Sequence, residues 1–279
     1  MTDRPFISFM TDFGVGSSAP SVCRGVMLDI EPDARLVDVT HAIRHFALRD
    51  GAFLLARSVP YFPVGVHVAV VDPGVGTARR PIALKAARGD FLVGPDNGLL
   101  VPAARALGGI VAARALENRE LWLPSVSHTF HGRDIFAPVG AHLAGGTPFE
   151  SVGPELGVDE VVPLELPIAT PRDGGVDTSV LLIDAFGNCR LAGETSDLVT
   201  AFGEMAHGRP FDLVLPARGA HPGARIRVPW VSTFGEVPIG SPLLFEDADY
   251  AGPALAINLG SAADVLGLEL DTPVRLEPA

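Results

Sequence analysis

The sequence predicts an α/β protein, with an N-terminal domain on a mainly parallel sheet and a smaller, all-β second domain. Three observations predict this. Strand-like and helix-like segments alternate through the first half of the chain. Composition shifts between Val162 and Gly175, where Pro163, Pro167, Pro171 and Gly174-Gly175 read as a linker. Beyond it, strand-like runs follow one another at short intervals with turn residues between, as in a small β-barrel or sandwich. The expected boundaries are 1–162 for the first domain, 163–175 for the linker and 176–279 for the second domain.

The elements follow in order. Pro5 to Met10 reads as a strand that delivers Asp12 at its end, and Ser21 offers an N-cap for a helix through Ile30. Leu36 to Val39 is a short strand, and Ala47 to Val59 carries apolar residues at helical spacing. Val66-His67-Val68-Ala69-Val70-Val71 is an apolar run that reads as a buried strand. Pro81 to Ala87 and Asp90 to Val93 read as paired strands before Pro95-Asp96-Asn97-Gly98, where Asn-Gly supplies a turn. A helix near Leu99 to Leu107, a strand near Ile110 to Arg114 and a helix ending near Leu143 complete the first half. In the second half, Val180 to Asp184, Phe211 to Leu215, Ala224 to Val228, Pro242 to Phe245 and Ala254 to Ile257 read as strands. Ser261 to Leu266 reads as one short helix.

Composition bounds the function. With 47% hydrophobic and 19% charged residues in 279, the chain is globular rather than disordered. A net charge of -12, from 33 acids against 21 bases without a basic cluster, argues against nucleic-acid binding and suits a small cationic ligand. No run approaches the roughly 18 apolar residues of a membrane span. The opening Met1-Thr2-Asp3-Arg4-Pro5 lacks a signal-peptide layout, so a cytoplasmic location is expected. Cys23 and Cys189 match no metal spacing and read as reduced structural thiols.

Four clusters could carry chemistry. Asp72 ends a buried strand, Pro73, Gly74 and Gly76 force a tight loop after it, and Arg79 follows at a distance of seven residues. Ligands of open α/β sheets bind beyond the carboxyl ends of strands, so the pair reads either as site equipment or as a loop-stabilising ion pair. Asp12, within Met10-Thr11-Asp12-Phe13-Gly14, is a second strand-end carboxylate, able to accept both hydroxyls of a ribose diol or to close a turn. His131 lies in the loop Thr129-Phe130-His131-Gly132-Arg133-Asp134, just before a helix. Asp184-Ala185-Phe186-Gly187-Asn188 is a turn between two strands. The histidine pairs His41/His45 and His128/His131 lack the carboxylate pattern of a zinc site, and no metal is expected. Neither a nucleophile elbow, a phosphate loop nor a dinucleotide fingerprint occurs.

Taken together, these clusters resemble the S-adenosylmethionine hydrolases (adenosine-forming), relatives of the fluorinase and chlorinase enzymes. The resemblance also rests on Pro32-Asp33-Ala34, Val37 to His41, Val71 to Arg80, Pro95 to Leu100, Thr233-Phe234 and Asn258 to Leu268, in family order over nearly the whole chain. It implies a C-terminal β-barrel and a trimer whose sites lie between the N-terminal domain of one subunit and the C-terminal domain of the next. It implies an Asp-Arg-His set on Asp72, Arg79 and His131, with water attacking the ribose C5′ of S-adenosylmethionine. S-adenosylmethionine is then the substrate, with no cofactor, and neither a nucleic acid nor a membrane is an expected partner. Asp72 and His131 would accept hydrogen bonds from the water, with Arg79 fixing Asp72. Asp12 would bind the ribose diol, with Phe46, Thr129 and Phe130 lining the nucleoside. Phe186 and Tyr250 fall among the binding positions. Asn188, Asn258 and the backbone near Leu259 would read the adenine edge, and Asp184 would hold the methionine ammonium.

The chain departs from the family pattern at the methionine end. Ser17 stands where an aspartate is usual, and Ala248-Asp249-Tyr250 replaces Asn-Ser followed by arginine or tyrosine. Asp249 is expected to supply the lost carboxylate from the other side. Arg190 stands where the fluorinase has an aromatic residue. These changes keep a non-catalytic adenosine or S-adenosylmethionine binder, and hydrolysis of another 5′-substituted adenosine, as alternatives. A halogenase is disfavoured, because the resemblance puts the hydrolase set at Asp72, Arg79 and His131 and because the segment from Ala86 to Phe91 is short.

Overall fold

The computed structural model describes residues 4–219, 222–248 and 250–279. The chain divides into two compact units, Met1–Glu165 and Leu166–Ala279.

The first unit is a seven-stranded sheet with helices packed on it. It begins with β1 (Phe6–Thr11), α1 (Ala19–Ile30), β2 (Arg35–Thr40), α2 (Leu48–Ser58) and β3 (Val66–Val70). It continues with β4 (Pro81–Ala86), β5 (Phe91–Pro95), α3 (Val101–Ala106) and β6 (Ile110–Ala115), and ends with α4 (Ala137–Ala144) and β7 (Glu155–Leu156). The sheet order is β2-β1-β3-β5-β4-β6-β7. The pairs β2-β1, β1-β3 and β3-β5 are parallel, and the other three are antiparallel. Five strands therefore share one direction, with β4 and β7 opposed. The tight return from Ala86 to Phe91 makes β4 and β5 a hairpin, which must run antiparallel.

Every residue of β1 and β3 is buried, as expected of strands covered on both faces. Successive side chains of β1 point to opposite faces. Ile7 and Phe9 join the core that includes Cys23 and Met27 of α1 and Val139 and Leu143 of α4. Met10 meets α2 at Gly51. A Cβ at Gly140 would stand 2.4 Å from Val68 Cγ2, so α4 lies on β3 only because that position is glycine. Helix α1 begins earlier than the Ser21 cap predicts. Pro20 fits its first turn, where no N–H need be donated, and the cap position falls to Ser18.

One polar array crosses this core. Ser8 and His67 are register partners on β1 and β3, and Ser8 Oγ lies 2.7 Å from His67 Nδ1. His67 Nε2 donates to Asp90 Oδ1 at 3.1 Å, and Arg88 grips both Asp90 oxygens at 2.7 and 2.8 Å. The order Ser-His-Asp is that of a hydrolytic triad, but all three residues are fully buried and can meet no substrate. Its role is to tie three strands together.

Every pair of strands in the second unit is antiparallel. Its elements are β8 (Thr170–Arg172), β9 (Gly175–Ile183), β10 (Cys189–Leu191), α5 (Thr195–Phe202), β11 (Pro210–Leu215) and β12 (Ala224–Pro229). Then come β13 (Pro242–Asp247), β14 (Gly252–Ile257), α6 (Ala262–Leu266) and β15 (Pro273–Pro278). The order is β12-β11-β15-β9-β10-β14-β13, with β8 also on β9. The two ends meet where Trp230 bridges Leu244 and the Val231 N–H donates to the Leu244 carbonyl at 2.9 Å. The result is a nearly closed barrel, resolving the choice between barrel and sandwich. Alternate residues, such as Phe211, Leu213 and Leu215, fill its interior. Strand β8 lies within the stretch read as linker. Among the described residues, no helix is long and apolar enough to cross a membrane. Both cysteines are free and buried, and burial pushes each thiol up to about 12.

Candidate active site

Asp12 and Asp72 stand just past the carboxyl ends of β1 and β3, which are adjacent and parallel. The Asp12 N–H donates to the Val70 carbonyl at 3.3 Å, which sets both acids on one edge of the sheet. This edge is where open α/β sheets place ligands.

The loop from Pro73 to Ala78 returns Arg79 to Asp72. Arg79 Nε lies 2.9 and 3.0 Å from the two carboxylate oxygens, and Nη2 also bonds Oδ2. Both side chains are almost buried, at 10% and 6% exposure, so the pair is no solvent-screened surface bridge. Arg79 Nη2 also reaches His131 Nδ1 at 3.2 Å. A guanidinium only donates, so Nδ1 accepts and the ring of His131 is neutral with its proton on Nε2. Burial first, and the charge of Arg79 second, push His131 below the ordinary histidine value; Asp72, Asp134 and the Ser127 carbonyl pull the other way.

Local structure explains how His131 gets there. It stands immediately before a π-helical turn, Gly132–Phe136, in which the Ala137 N–H donates to the Gly132 carbonyl. Arg79 lies over the Phe136 ring, 5.1 Å from its centroid, so residues on either end of one wide turn hold one guanidinium. Asp134 pins the preceding loop by accepting from the Ser127 N–H at 2.8 Å and from Arg133 at 2.6 Å. Burial opposes its charge, but these hydrogen bonds outweigh burial and hold its carboxyl below the usual range. Gly132 lets the Phe13 ring pack close against this turn, because a Cβ there would lie 2.7 Å from Phe13 Cζ and force the ring to shift.

The nucleoside positions of the first unit also gather. Asp12 Oδ2 accepts the Phe46 N–H at 3.2 Å, with Phe46 in a left-handed conformation (φ 66°) and 70% exposed. A non-glycine residue held there marks a constrained site. Thr11 Oγ1 meets His41 Nδ1 at 2.9 Å and braces the same loop. His41 and His45 do not share a helix face as their spacing allowed, since that segment is not helical. Phe130 packs edge-on against Phe13 with centroids 5.6 Å apart, and Thr129 is exposed beside it. Ser17 is exposed too, and accepts the Ala19 N–H at 3.1 Å. Among the described residues, no three His, Cys, Asp or Glu side chains converge on one point.

In the second unit a cavity of about 800 Å³ collects Asp184, Phe186, Asn188, Asn258 and Leu259. Asp184 Oδ1 accepts the N–H groups of Phe186 and Asn188 at 2.8 and 3.0 Å, and Oδ2 accepts Asn188 Nδ2 at 2.9 Å. Asn258 donates to the Val237 carbonyl at 2.7 Å, and Leu259 is left-handed (φ 54°) and exposed. Asp249 lies outside the described residues.

The sequence reading missed one contact here. Arg190 lines this cavity with Asp247, and their side chains pair at 2.6 Å. Arg190 is register partner of Ala254, itself partner of Phe245; Asp247 is two residues farther and shares that face. Tyr250 stacks on Arg190, 4.2 Å from guanidinium carbon to ring centroid.

Known proteins of this kind exist. A model for the SAM hydroxide adenosyltransferase N-terminal domain matches residues 7–153, and that for the C-terminal domain matches residues 178–275. The chain is similar to an (R)-S-adenosyl-L-methionine hydrolase from Salinispora tropica, at 45% identity over 96% of each chain. It is 39% identical to the enzyme of that name from Thermus thermophilus, over 98% of this chain and 99% of the other. A fluorinase from Actinoplanes sp. is 31% identical over 66% and 70%. An uncharacterized conserved protein from Thermotoga maritima superposes with a TM-score of 0.86 at 32% identity, over 97% and 99%.

Proposed function

The chain belongs to the SAM hydroxide adenosyltransferase family, and from that membership we propose that it hydrolyses S-adenosylmethionine to adenosine and L-methionine. The observation that carries the reading is the Asp72–Arg79–His131 chain at the carboxyl edge of the parallel strands.

The substrate's sulfonium leaves as a neutral thioether, so the step calls for neither acid nor metal. It calls for a water held in line with the C5′–S bond, and such positioning is worth on the order of 7–11 kcal/mol in favourable cases. Each oxygen of Asp72 keeps acceptor capacity beyond its bonds to Arg79. The water donates one proton toward Asp72 while its oxygen attacks C5′. The C5′–S electron pair passes to sulfur, and Asp72 takes the proton and later returns it to solvent. His131 Nδ1 is occupied by Arg79, so His131 orients the guanidinium instead of accepting that proton.

A pH dependence follows. Protonating His131 would set an N–H against Arg79 and break their hydrogen bond. Since its pKa lies below the ordinary 6.5, the neutral form persists down to lower pH, and the acid limb of kcat/KM falls below pH 6.5. A limb above 6.5 would contradict this.

The reading includes a homotrimer in which the first unit of one subunit and the second unit of the next complete each site. Light scattering should give three times the chain mass of 29.2 kDa, and a monomer would refute it. It includes a cytoplasmic location, in keeping with the two buried free thiols; recovery outside the cytoplasm on cell fractionation would contradict that.

The test is chromatography of nucleosides after incubation with S-adenosylmethionine, each sulfur epimer separately because the relatives' names specify R. Adenosine forms without halide and in the presence of a chelator. A chlorinated nucleoside appearing only with chloride would make the protein a halogenase, and bound but unconverted substrate would make it a binder.

A further inference from the structure

We infer that Arg190 anchors the carboxylate of the substrate's amino-acid end, an inference that rests on the hydrolase reading. A guanidinium carries five N–H donors and no acceptor. Arg190 is largely buried, with its side chain 12% exposed. Its Nη2 pairs with Asp247, but Nη1 stands 3.9 Å from Asp184 Oδ2, beyond hydrogen-bond reach. Nε has no hydrogen-bond partner among the described residues. Leaving charged donors unmet in a buried place is costly, and here the group sits in the wall of an 800 Å³ cavity. Tyr250 holds the plane of the guanidinium, which fixes the direction of its free donors before any ligand arrives.

Charge points to the same partner. Arg190 brings one positive charge between two carboxylates, Asp184 and Asp247. A site built for a cation alone would have no use for a guanidinium. A zwitterionic amino acid carrying an ammonium and a carboxylate matches the mixture, with Arg190 taking the carboxylate through Nη1 and Asp184 retaining acceptor capacity for the ammonium.

The substrate itself provides the test. The decarboxylated analogue keeps the adenosine, the sulfonium and the ammonium, and lacks only the carboxylate. Wild type should prefer S-adenosylmethionine by about 30-fold or more in kcat/KM, as expected for a hydrogen-bonded charge pair. In Arg190→Gln the preference collapses toward unity, through loss of the natural substrate alone, and Arg190→Lys restores part of it. A purely structural Arg190 would weaken both substrates alike. Equal use of both by wild type, or an undiminished preference in Arg190→Gln, overturns the assignment. Where Arg190→Gln fails to fold, the wild-type ratio and Arg190→Lys decide. Where neither substrate yields adenosine, the hydrolase reading fails separately, and calorimetric Kd values for the same two compounds decide the anchor by the same ratios.

Discussion

Replacing Asp72 by asparagine lowers kcat by about 10²–10⁴-fold, the range usual for loss of a general base, with little change in KM for the substrate. The asparagine side chain has the same shape, but its NH₂ group would face the donors of Arg79, whose Nε sits 2.9 Å from Oδ1. It must turn its oxygen to Arg79 and its NH₂ to the water, so the acceptor that orients the nucleophile is gone. Single-turnover formation of adenosine measures the effect. Full turnover by Asp72→Asn would remove Asp72 from the mechanism, and a folded-state check by calorimetry separates chemistry from stability.

Replacing Asp90 by alanine destabilises the first unit by about 3–5 kcal/mol, read from urea unfolding, because His67 and Arg88 lose a shared partner inside the core. Asp90 is held below its ordinary value of 3.8: burial raises it, and the hydrogen bonds of Arg88 and His67 outweigh burial. A depressed carboxyl contributes its stability in full above the unfolded-state pKa. That contribution declines as pH falls below about 3.8 toward the folded-state value. The gap between wild type and Asp90→Asn should therefore be constant near neutrality and shrink below pH 4. A gap independent of pH down to 2 would show that Asp90 does not act through its charge.

What could be read in advance depended on where the information lay. The strands β1 and β3 were legible because strands buried on both faces become mainly apolar runs, interrupted here by Ser8 and His67. The short edge pieces were not: β8 is exposed at every position and contains Pro171, and β7 has two residues. Helix α5 spans only Thr195–Phe202 and buries one residue, Leu198, although Glu194 and Asp197 mark its start. Strand β15 has proline at both ends, and its alternation, Val274 and Leu276 inward, is short. At the site, Asp12 and Asp72 announced themselves as strand-end acids. His131 did not; a loop histidine far from Asp72 in sequence carries no local signal, and only resemblance joined it to Arg79. Arg190 and Asp247 meet through the register of three strands, which no local pattern encodes.

The wide turn before α4 makes this site depend on the length of the chain as well as on which residues it contains. Bonding from residue 132 to 137 brings His131 and Phe136 to the same guanidinium. Deleting one residue from Gly132–Phe136 would let the segment relax into an ordinary α-helix, turning His131 by about 100° about the axis. Asp72, Arg79 and His131 would all still be present, and an alignment would score the variant as intact. The hydrogen bond by which His131 aims Arg79 would be gone. In this family fold, a single-codon gap at that turn is a more severe lesion than most substitutions beside it.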